Sequence, residues 1–311
     1  MLADSYYWKG TTHQNCQDYA ISGTVYSGSL ATYGIVSDGC SSSRNTDLGA
    51  RFLCHSAKNA LHNLFTCSIE EISNLTDETK DPGLGNLVLI LKNEILASAR
   101  NMSQISRLPE SVLDATLWIV FSFFNSDGKQ KCVTIGWGDG LYFTDKIGEV
   151  ISYNNSAPFY LSYWYSKSRR ESYEKQFDSK MFIEKFYEPA EIKNERMKKV
   201  YLFDGDIEIC DFNNYPCPNI IHHNYKKPYV KTCVDPEFIF VSTDGIETFF
   251  KVMEDGRKEN VCVTKIIGEI LEKSKKKDCF IKKRMNVVRF NMKNELITHS
   301  DDFGCICFIK E

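Results

Sequence analysis

Layers of β-sheet covered by helices, within one domain, are the fold class this sequence predicts, and three observations predict it. Two β-patterned runs, Asp18 to Tyr26 and Leu30 to Val36, flank a tight turn at Gly28. Two amphipathic helical patterns follow, Asn45 to Phe65 and Leu84 to Ala99. A meander then runs through Ala115 to Phe123, Lys131 to Trp137 and Leu141 to Thr144, with turn signals at Asn125-Ser126-Asp127-Gly128 and Gly138-Asp139-Gly140. Neither strands with one apolar face nor helices with one apolar stripe are stable alone, so they stack in layers.

Each element has its own signature. The first ten residues read as a short arm, and His13 to Asp18 form a polar cluster. In the first helix Leu48, Phe52, Ala57, Ala60, Leu61 and Leu64 recur on one stripe; in the second Leu87, Val88, Leu91, Ile95 and Leu96 do. Ser68 to Gly83 between them is polar, ends in Asp81-Pro82-Gly83 and reads as a loop. Tyr153 to Lys198 keeps no period and is rich in Tyr, Ser and charge, as expected of a surface insertion with aromatic anchors. Regular structure is expected again at Lys199 to Phe203, in a strand at Phe238 to Ser242, in helices at Ile246 to Met253, Val261 to Leu271 and Phe280 to Phe290, and in a final strand at Phe303 to Ile309. No repeat and no Pro- or Gly-rich linker divides the chain, so one domain is expected.

A formal net charge of -3 gives no electrostatic reason to expect nucleic acid or an anionic membrane as partner. The basic tract Lys273 to Arg284 is broken by Asp278 to Ile281 and reads as a solvated face. No secretory signal opens the sequence, and Leu117 to Phe124 is too short to span a bilayer, so a soluble, cytoplasmic protein is expected. The 12 cysteines are scattered through apolar patterns and are expected to be free thiols. Cys210, Cys217, His222, His223 and Cys233 share one stretch but lack the paired short spacing of a zinc site. Cys305 and Cys307 alternate on one strand and should face the same core.

Three acidic turns carry the chemistry: Ser37-Asp38-Gly39, Thr243-Asp244-Gly245 and Ser300-Asp301-Asp302. Two directly follow a β-run and the third precedes one, so their carboxylates can converge at one side of a sheet. Convergent carboxylate oxygens suit Mg²⁺ or Mn²⁺ rather than zinc or copper. One such Asp-Gly is ordinarily only a turn; three together point to a site.

In order along the chain stand Asn15-x-Gln17-Asp18, Val36-Ser37-Asp38-Gly39, Ala115-Thr116-Leu117, Gly138-Asp139-Gly140, Val241-Ser242-Thr243-Asp244-Gly245 and Asp301-Asp302. This series resembles the metal-dependent protein phosphatases of type 2C, the PPM family. His13-x-x-Cys16-Gln17-Asp18 and Asp47-x-Gly49-Ala50 are most similar to its bacterial branch. The resemblance implies an α+β fold, a four-layer α-β-β-α sandwich of two antiparallel sheets covered by helices. It also implies a single phosphatase domain over 1–311, with a flap inserted at about 153–235. Asp38 would bridge two Mn²⁺ or Mg²⁺ ions, with the Gly39 carbonyl facing the second. Asp244 and Asp301 would complete the first ion's shell, and Asp18 would act through water. Asp302 falls where the family often has Asn, which makes Asp301 the better ligand. The implied reaction is hydrolysis of phosphoserine or phosphothreonine in proteins by a water bridging the two ions, with the phosphoprotein as substrate and a cognate Ser/Thr kinase as counterpart.

The series departs from the family in its phosphate-binding half. His13 stands where an Arg would bind phosphate, and Cys40 where a His would act as general acid. Asp139-Gly140 lacks the Arg that often follows, and the aspartate for a third metal has no match, Glu110 lying nearest. Two other readings therefore stand beside the first. One is a pseudophosphatase that binds without turnover; the other is a hydrolase of small phosphoesters over which the Tyr-rich segment closes.

Overall fold

The computed structural model describes residues 1–27, 29–43, 45–67, 82–125, 127–177, 180–187, 220–223, 226–271 and 280–310. Fifteen strands, named in chain order, build its sheets. A seven-stranded sheet has the order β1-β15-β11-β6-β7-β8-β9: Leu2–Trp8, Phe303–Ile309, Phe238–Ser242, Gly140–Thr144, Gly148–Tyr153, Met181–Tyr187 and Ile220–His223. A five-stranded sheet has the order β10-β5-β4-β3-β2: Tyr229–Val234, Gln130–Trp137, Leu117–Phe124, Ser29–Ser37 and Tyr19–Ser27. A small sheet, β13-β12-β14, joins Lys258–Asn260, Phe249–Val252 and Ile297–His299. Every pairing in the three sheets is antiparallel.

The period of two along each strand sorts the core into three layers. In β4, Leu117, Ile119 and Phe121 face α1 (Thr46–Cys67) and α2 (Pro82–Ile105), whose Leu53, Leu61, Leu91 and Ile95 meet them. Trp118 and Val120, one residue out of phase, point the other way, into the space between the sheets with Val36, Val241, Ile306 and Phe308. On β15, Phe303, Cys305 and Cys307 take the far face and pack under α4 (Val263–Leu271) and α5 (Phe280–Asn294). The result is an α-β-β-α sandwich, and Cys305 and Cys307 share one core as their spacing predicts.

Several elements differ from the sequence expectation. The opening arm is strand β1, paired along its length with β15. Its mixed composition hides it, because Asp4 is buried for a purpose: Asp4 Oδ2 accepts the backbone N–H of Ile281 at 2.8 Å and of Lys282 at 3.3 Å, capping α5. Ile246 to Met253 is no helix: a 3₁₀ turn, Asp244–Thr248, gives way to β12. Phe249 and Phe250 favour a strand, and β13 and β14 satisfy its backbone from both sides. Leu48 lies on the open side of α1.

The stretch from Asn154 is also more ordered than its aperiodic sequence suggests. After β7 it forms a 3₁₀ turn at Leu161–Trp164 and α3 at Lys167–Gln176, and it buries Phe159, Tyr160, Leu161 and Tyr173. Strands β8 and β9 extend the seven-stranded sheet, and β10 returns on the edge of the other. The turn residues Gly28 and Ser126, the loop over 68–81, the strand expected at Lys199 to Phe203, Cys210, Cys217 and Lys273 to Cys279 lie outside the described residues. The eight cysteines whose side chains are described are free, and no helix of the described residues is long and apolar enough to cross a membrane.

Candidate active site

Register alone brings the acidic turns together. Tyr19 pairs with Ser37, so Asp18, just before β2, and Asp38, just after β3, stand side by side. Ser242 at the end of β11 pairs with Leu141 near the start of β6 and with Cys305 near the start of β15. That places Asp244 next to Asp139, which precedes β6, and to Asp301 and Asp302, which precede β15. One edge of the sandwich thereby collects carboxylates from five strand ends.

The short uncharged residues of the motifs fasten this edge. Thr116 exchanges two bonds with Asp38: its N–H donates to the Asp38 carbonyl at 2.8 Å, and its Oγ1 accepts the Asp38 N–H at 3.0 Å. Ser37 Oγ donates to the Thr116 carbonyl at 2.5 Å. Thr243 ties three strands, donating from Oγ1 to Asp18 Oδ2 at 2.7 Å and accepting the Gly304 N–H at 3.0 Å. Gly245 is required by close approach, since a Cβ there would lie 1.6 Å from the Asp302 carbonyl oxygen. At Gly39 a Cβ would meet the Thr46 carbonyl oxygen at 2.7 Å, so only glycine lets the turn lie against α1. The Trp118 indole N–H donates to the Asp139 carbonyl at 2.8 Å and fixes the Gly138-Asp139-Gly140 turn.

The electrostatics are those of negative charge gathered without a counter-charge. Among the described residues, none of Asp18, Asp38, Asp139 and Asp244 forms an ion pair with Lys or Arg. Burial pushes Asp18 up to about 7, against hydrogen bonds from Asp38 and Thr243 that pull it down. Burial, then the charges of Asp18 and Asp244, holds Asp38 well above the usual carboxylate range. Asp139 is raised by burial and by Asp244. Asp244 is pushed up to about 6 by burial and by Asp301. Asp18 Oδ1 is buried without a hydrogen-bond partner, and the hydrogen bond between the Asp18 and Asp38 carboxyls requires a proton on one of the two. Among the described residues, no three His, Cys, Asp or Glu side chains stand in metal-holding geometry.

The neighbours Asp301 and Asp302 have distinct surroundings. Asp302 is 1% exposed, and both its oxygens are taken: Oδ1 accepts the Gly10 N–H at 2.7 Å and Oδ2 the Gln17 N–H at 2.5 Å. It fastens the polar opening segment to β15. Asp301 is 45% exposed, and its Oδ1 accepts the Asp302 N–H at 2.8 Å. It is the carboxylate with an oxygen to offer a ligand.

His13 stands between these two, with Nε2 3.5 Å from Asp301 Oδ1 and Nδ1 3.0 Å from Asp302 Oδ2, the latter contact lacking hydrogen-bond alignment. Burial lowers its pKa, but Asp302, Asp301 and Asp18 together outweigh burial and raise it. Cys40 lies on the opposite flank of Asp38. Its Sγ is 2.9 Å from Ser42 Oγ and within hydrogen-bond reach of the Tyr160 hydroxyl, which burial and then Cys40 shift upward. The structure thus gathers Asp18, Asp38, Asp244 and Asp301, assigns Asp302 to structure, and sets His13 and Cys40 at two ends of the cluster.

A model of the family described as protein phosphatase 2C matches residues 10–271, which span all of these turns except Asp301-Asp302. The chain belongs to the protein phosphatase 2C family. Three solved phosphatases are among those it is similar to. Serine/threonine phosphatase Stp1 from Staphylococcus aureus shares 14% identity over 99% of this chain and 94% of that one, with a TM-score of 0.46. The S. agalactiae serine/threonine phosphatase shares 11% over 99% of each, with a TM-score of 0.44. The PPM Ser-Thr phosphatase MsPP from Mycobacterium smegmatis, in complex with cacodylate, shares 11% over 100% and 99%, with a TM-score of 0.42. No match was found among curated proteins.

Protein phosphatase 2C enzymes are metal-dependent phosphoprotein phosphatases, and two residues of this 2C site are not among those expected from the sequence. Asp139 reads as a turn residue, yet its carboxyl raises that of Asp38; its position between two glycines was the available signal. Asp114 lies beside the DG turn, not Glu110, which pairs instead with Arg100 at 3.6 Å. Asp114 is already bound, accepting from Ser162 Oγ at 2.7 Å and from Arg169 Nη2 at 2.6 Å to both oxygens. Its partners come from the aperiodic stretch, where no local pattern announces them.

Proposed function

We propose that this protein is a serine/threonine phosphoprotein phosphatase whose Asp38, Asp244 and Asp301 hold Mn²⁺ or Mg²⁺, with Asp18 acting through water and the Gly39 carbonyl alongside. The observation that carries the reading is the uncompensated carboxylate cluster with the orphaned, buried Asp18 Oδ1. All-oxygen donors suit a hard divalent ion, and such an ion supplies the counter-charge the cluster lacks. Two ions are expected, because Asp38 feels the charges of both Asp18 and Asp244 and the family reaction uses a pair of ions. Bound there, divalent ions polarise the phosphoryl group and lower the pKa of the attacking water.

The chain's own groups perform the rest. Thr116 and Thr243 hold the carboxylates apart and in place before substrate arrives. His13, whose pKa the neighbouring carboxylates raise against burial, stands at the rim where the family has a phosphate-binding arginine. Cys40, backed by Ser42 and Tyr160, is the group placed to pass a proton to the leaving oxygen. The segment of about 153–235 is read as an inserted flap, since after β7 it adds only β8 and β9 at the edge of the seven-stranded sheet and returns through β10 on the edge of the five-stranded one. A cytoplasmic setting, with a Ser/Thr kinase as counterpart, fits the free cysteines.

The test is turnover of an aryl phosphate and of phosphopeptides with Mn²⁺, Mg²⁺ or EDTA, beside Asp38→Ala and Asp244→Ala. Metal-dependent phosphopeptide turnover lost in both variants is the expected result. Activity that ignores EDTA or survives both substitutions overturns it. Metal binding without turnover would instead mark a binding module, and turnover of small esters alone a small-molecule hydrolase.

A further inference from the structure

Away from the acidic edge, two of the free cysteines oppose each other directly. Cys233 on β10 pairs in register with Cys132 on β5. Directly opposed residues of an antiparallel ladder have Cα atoms roughly 4.5–5.5 Å apart. A disulfide accepts Cα separations of about 4.4–6.8 Å, so this pair can be bridged without moving the backbone. Both side chains belong to the layer between the sheets, Cys132 fully buried and Cys233 partly open at the sheet edge.

The two thiols are chemically unequal. Tyr142 donates its hydroxyl to Cys233 Sγ at 3.8 Å, while the Cys132 thiol donates to Met1 Sδ at 3.5 Å. The neighbouring Cys132, and after it Tyr142, lower the Cys233 pKa against burial, whereas Cys233 and burial raise that of Cys132. Cys233 is therefore the accessible nucleophile and Cys132 the thiol that resolves.

We propose that Cys132 and Cys233 are a cross-strand redox pair, which a low-molecular-weight disulfide oxidises to a bond clamping β10 onto the five-stranded sheet. The Cys233 thiolate attacks one sulfur of the small disulfide and expels one thiol. Cys132 then gives up its proton and attacks Cys233 Sγ, expelling the second. Two protein thiols and one small disulfide become one protein disulfide and two small thiols. The bond encloses residues 133–232, including all of β6 to β9, and fixes the strand through which that segment returns. At the other end of β10, Tyr229 packs 5.2 Å from Trp118, whose indole holds the Asp139 turn, so the clamped strand reaches the acidic edge.

The experiment is incubation of the full chain with oxidised glutathione, followed by thiol titration after denaturation and mass mapping of a non-reducing digest. The expected result is loss of two thiols from the chain's twelve and a peptide linked through Cys132 and Cys233. Cys132→Ser should instead stop at one glutathione retained on Cys233, and Cys233→Ser should take up none at this site. A wild-type chain that yields no such linked peptide, keeps glutathione on Cys233, or joins either cysteine elsewhere overturns the proposal without recourse to any variant.

Discussion

Asp301 and Asp302 are adjacent and chemically identical, yet their substitution should have opposite consequences. In Asp302→Ala the backbone N–H groups of Gly10 and Gln17 lose their acceptor, and the His13 imidazole loses its partner at 3.0 Å. Each hydrogen bond to a charged group is worth about 1.5–3 kcal/mol, so two place the loss at about 3–6 kcal/mol. Asp302→Asn retains one acceptor oxygen but turns an N–H toward a backbone donor, and should lose about 1.5–3 kcal/mol. Asp301→Ala removes an exposed carboxylate that accepts one local N–H, so stability should change by about 1 kcal/mol or less. Urea denaturation in EDTA reads these differences directly, and aryl phosphate turnover with Mn²⁺ reads the other half. Asp301→Ala should be folded and inactive; Asp302→Ala should be destabilised whatever its residual activity. Equal destabilisation of the two alanine variants, or full Mn²⁺-dependent activity in Asp301→Ala, refutes the division of labour.

Three further outcomes follow from the same geometry. Asp18 and Asp244 have folded pKa values raised to about 7 and about 6 from 3.8, so the folded state holds protons that the unfolded state has released. Metal-free stability should therefore fall as pH rises from about 4 to about 7, by an amount on the order of 4 kcal/mol for Asp18. Thermal melts in EDTA at pH 5 and pH 8 check this, and Mn²⁺ should restore more stability at pH 8 than at pH 5. Asp38→Asn replaces a carboxyl whose charged form burial disfavours, and should stabilise the metal-free chain at pH 8 while abolishing Mn²⁺-induced stabilisation. Arg169→Ala leaves buried Asp114 with Ser162 and Ser43 alone, and should cost about 3–5 kcal/mol and open the 157–176 segment to limited proteolysis.

The layers and the carboxylates were legible in the sequence because both are written locally. Strand alternation separates Ile119 from Val120, and an Asp-Gly after an apolar run marks a strand end. What lay beyond reach depended on distant partners. Strand β1 is polar because Asp4 caps a helix through Ile281, 277 residues further along the chain. Phe249 and Phe250 form a strand because His299 and Asn260 come to lie on either side. The difference between Asp301 and Asp302 arises from Gly10 and Gln17, which reach β15 only when β1 has docked. The anchoring of the aperiodic stretch likewise rests on Asp114, an acidic residue that local pattern assigns to no task.

The account turns on whether the carboxylate edge holds divalent ions. Anomalous diffraction from crystals grown with Mn²⁺ tests this most directly. The account predicts Mn²⁺ peaks flanking Asp38, one of them within bonding distance of Asp244 and Asp301, with Asp302 still bound to the Gly10 and Gln17 amides. An edge free of Mn²⁺, or Mn²⁺ held by Asp302 in place of Asp301, would contradict it.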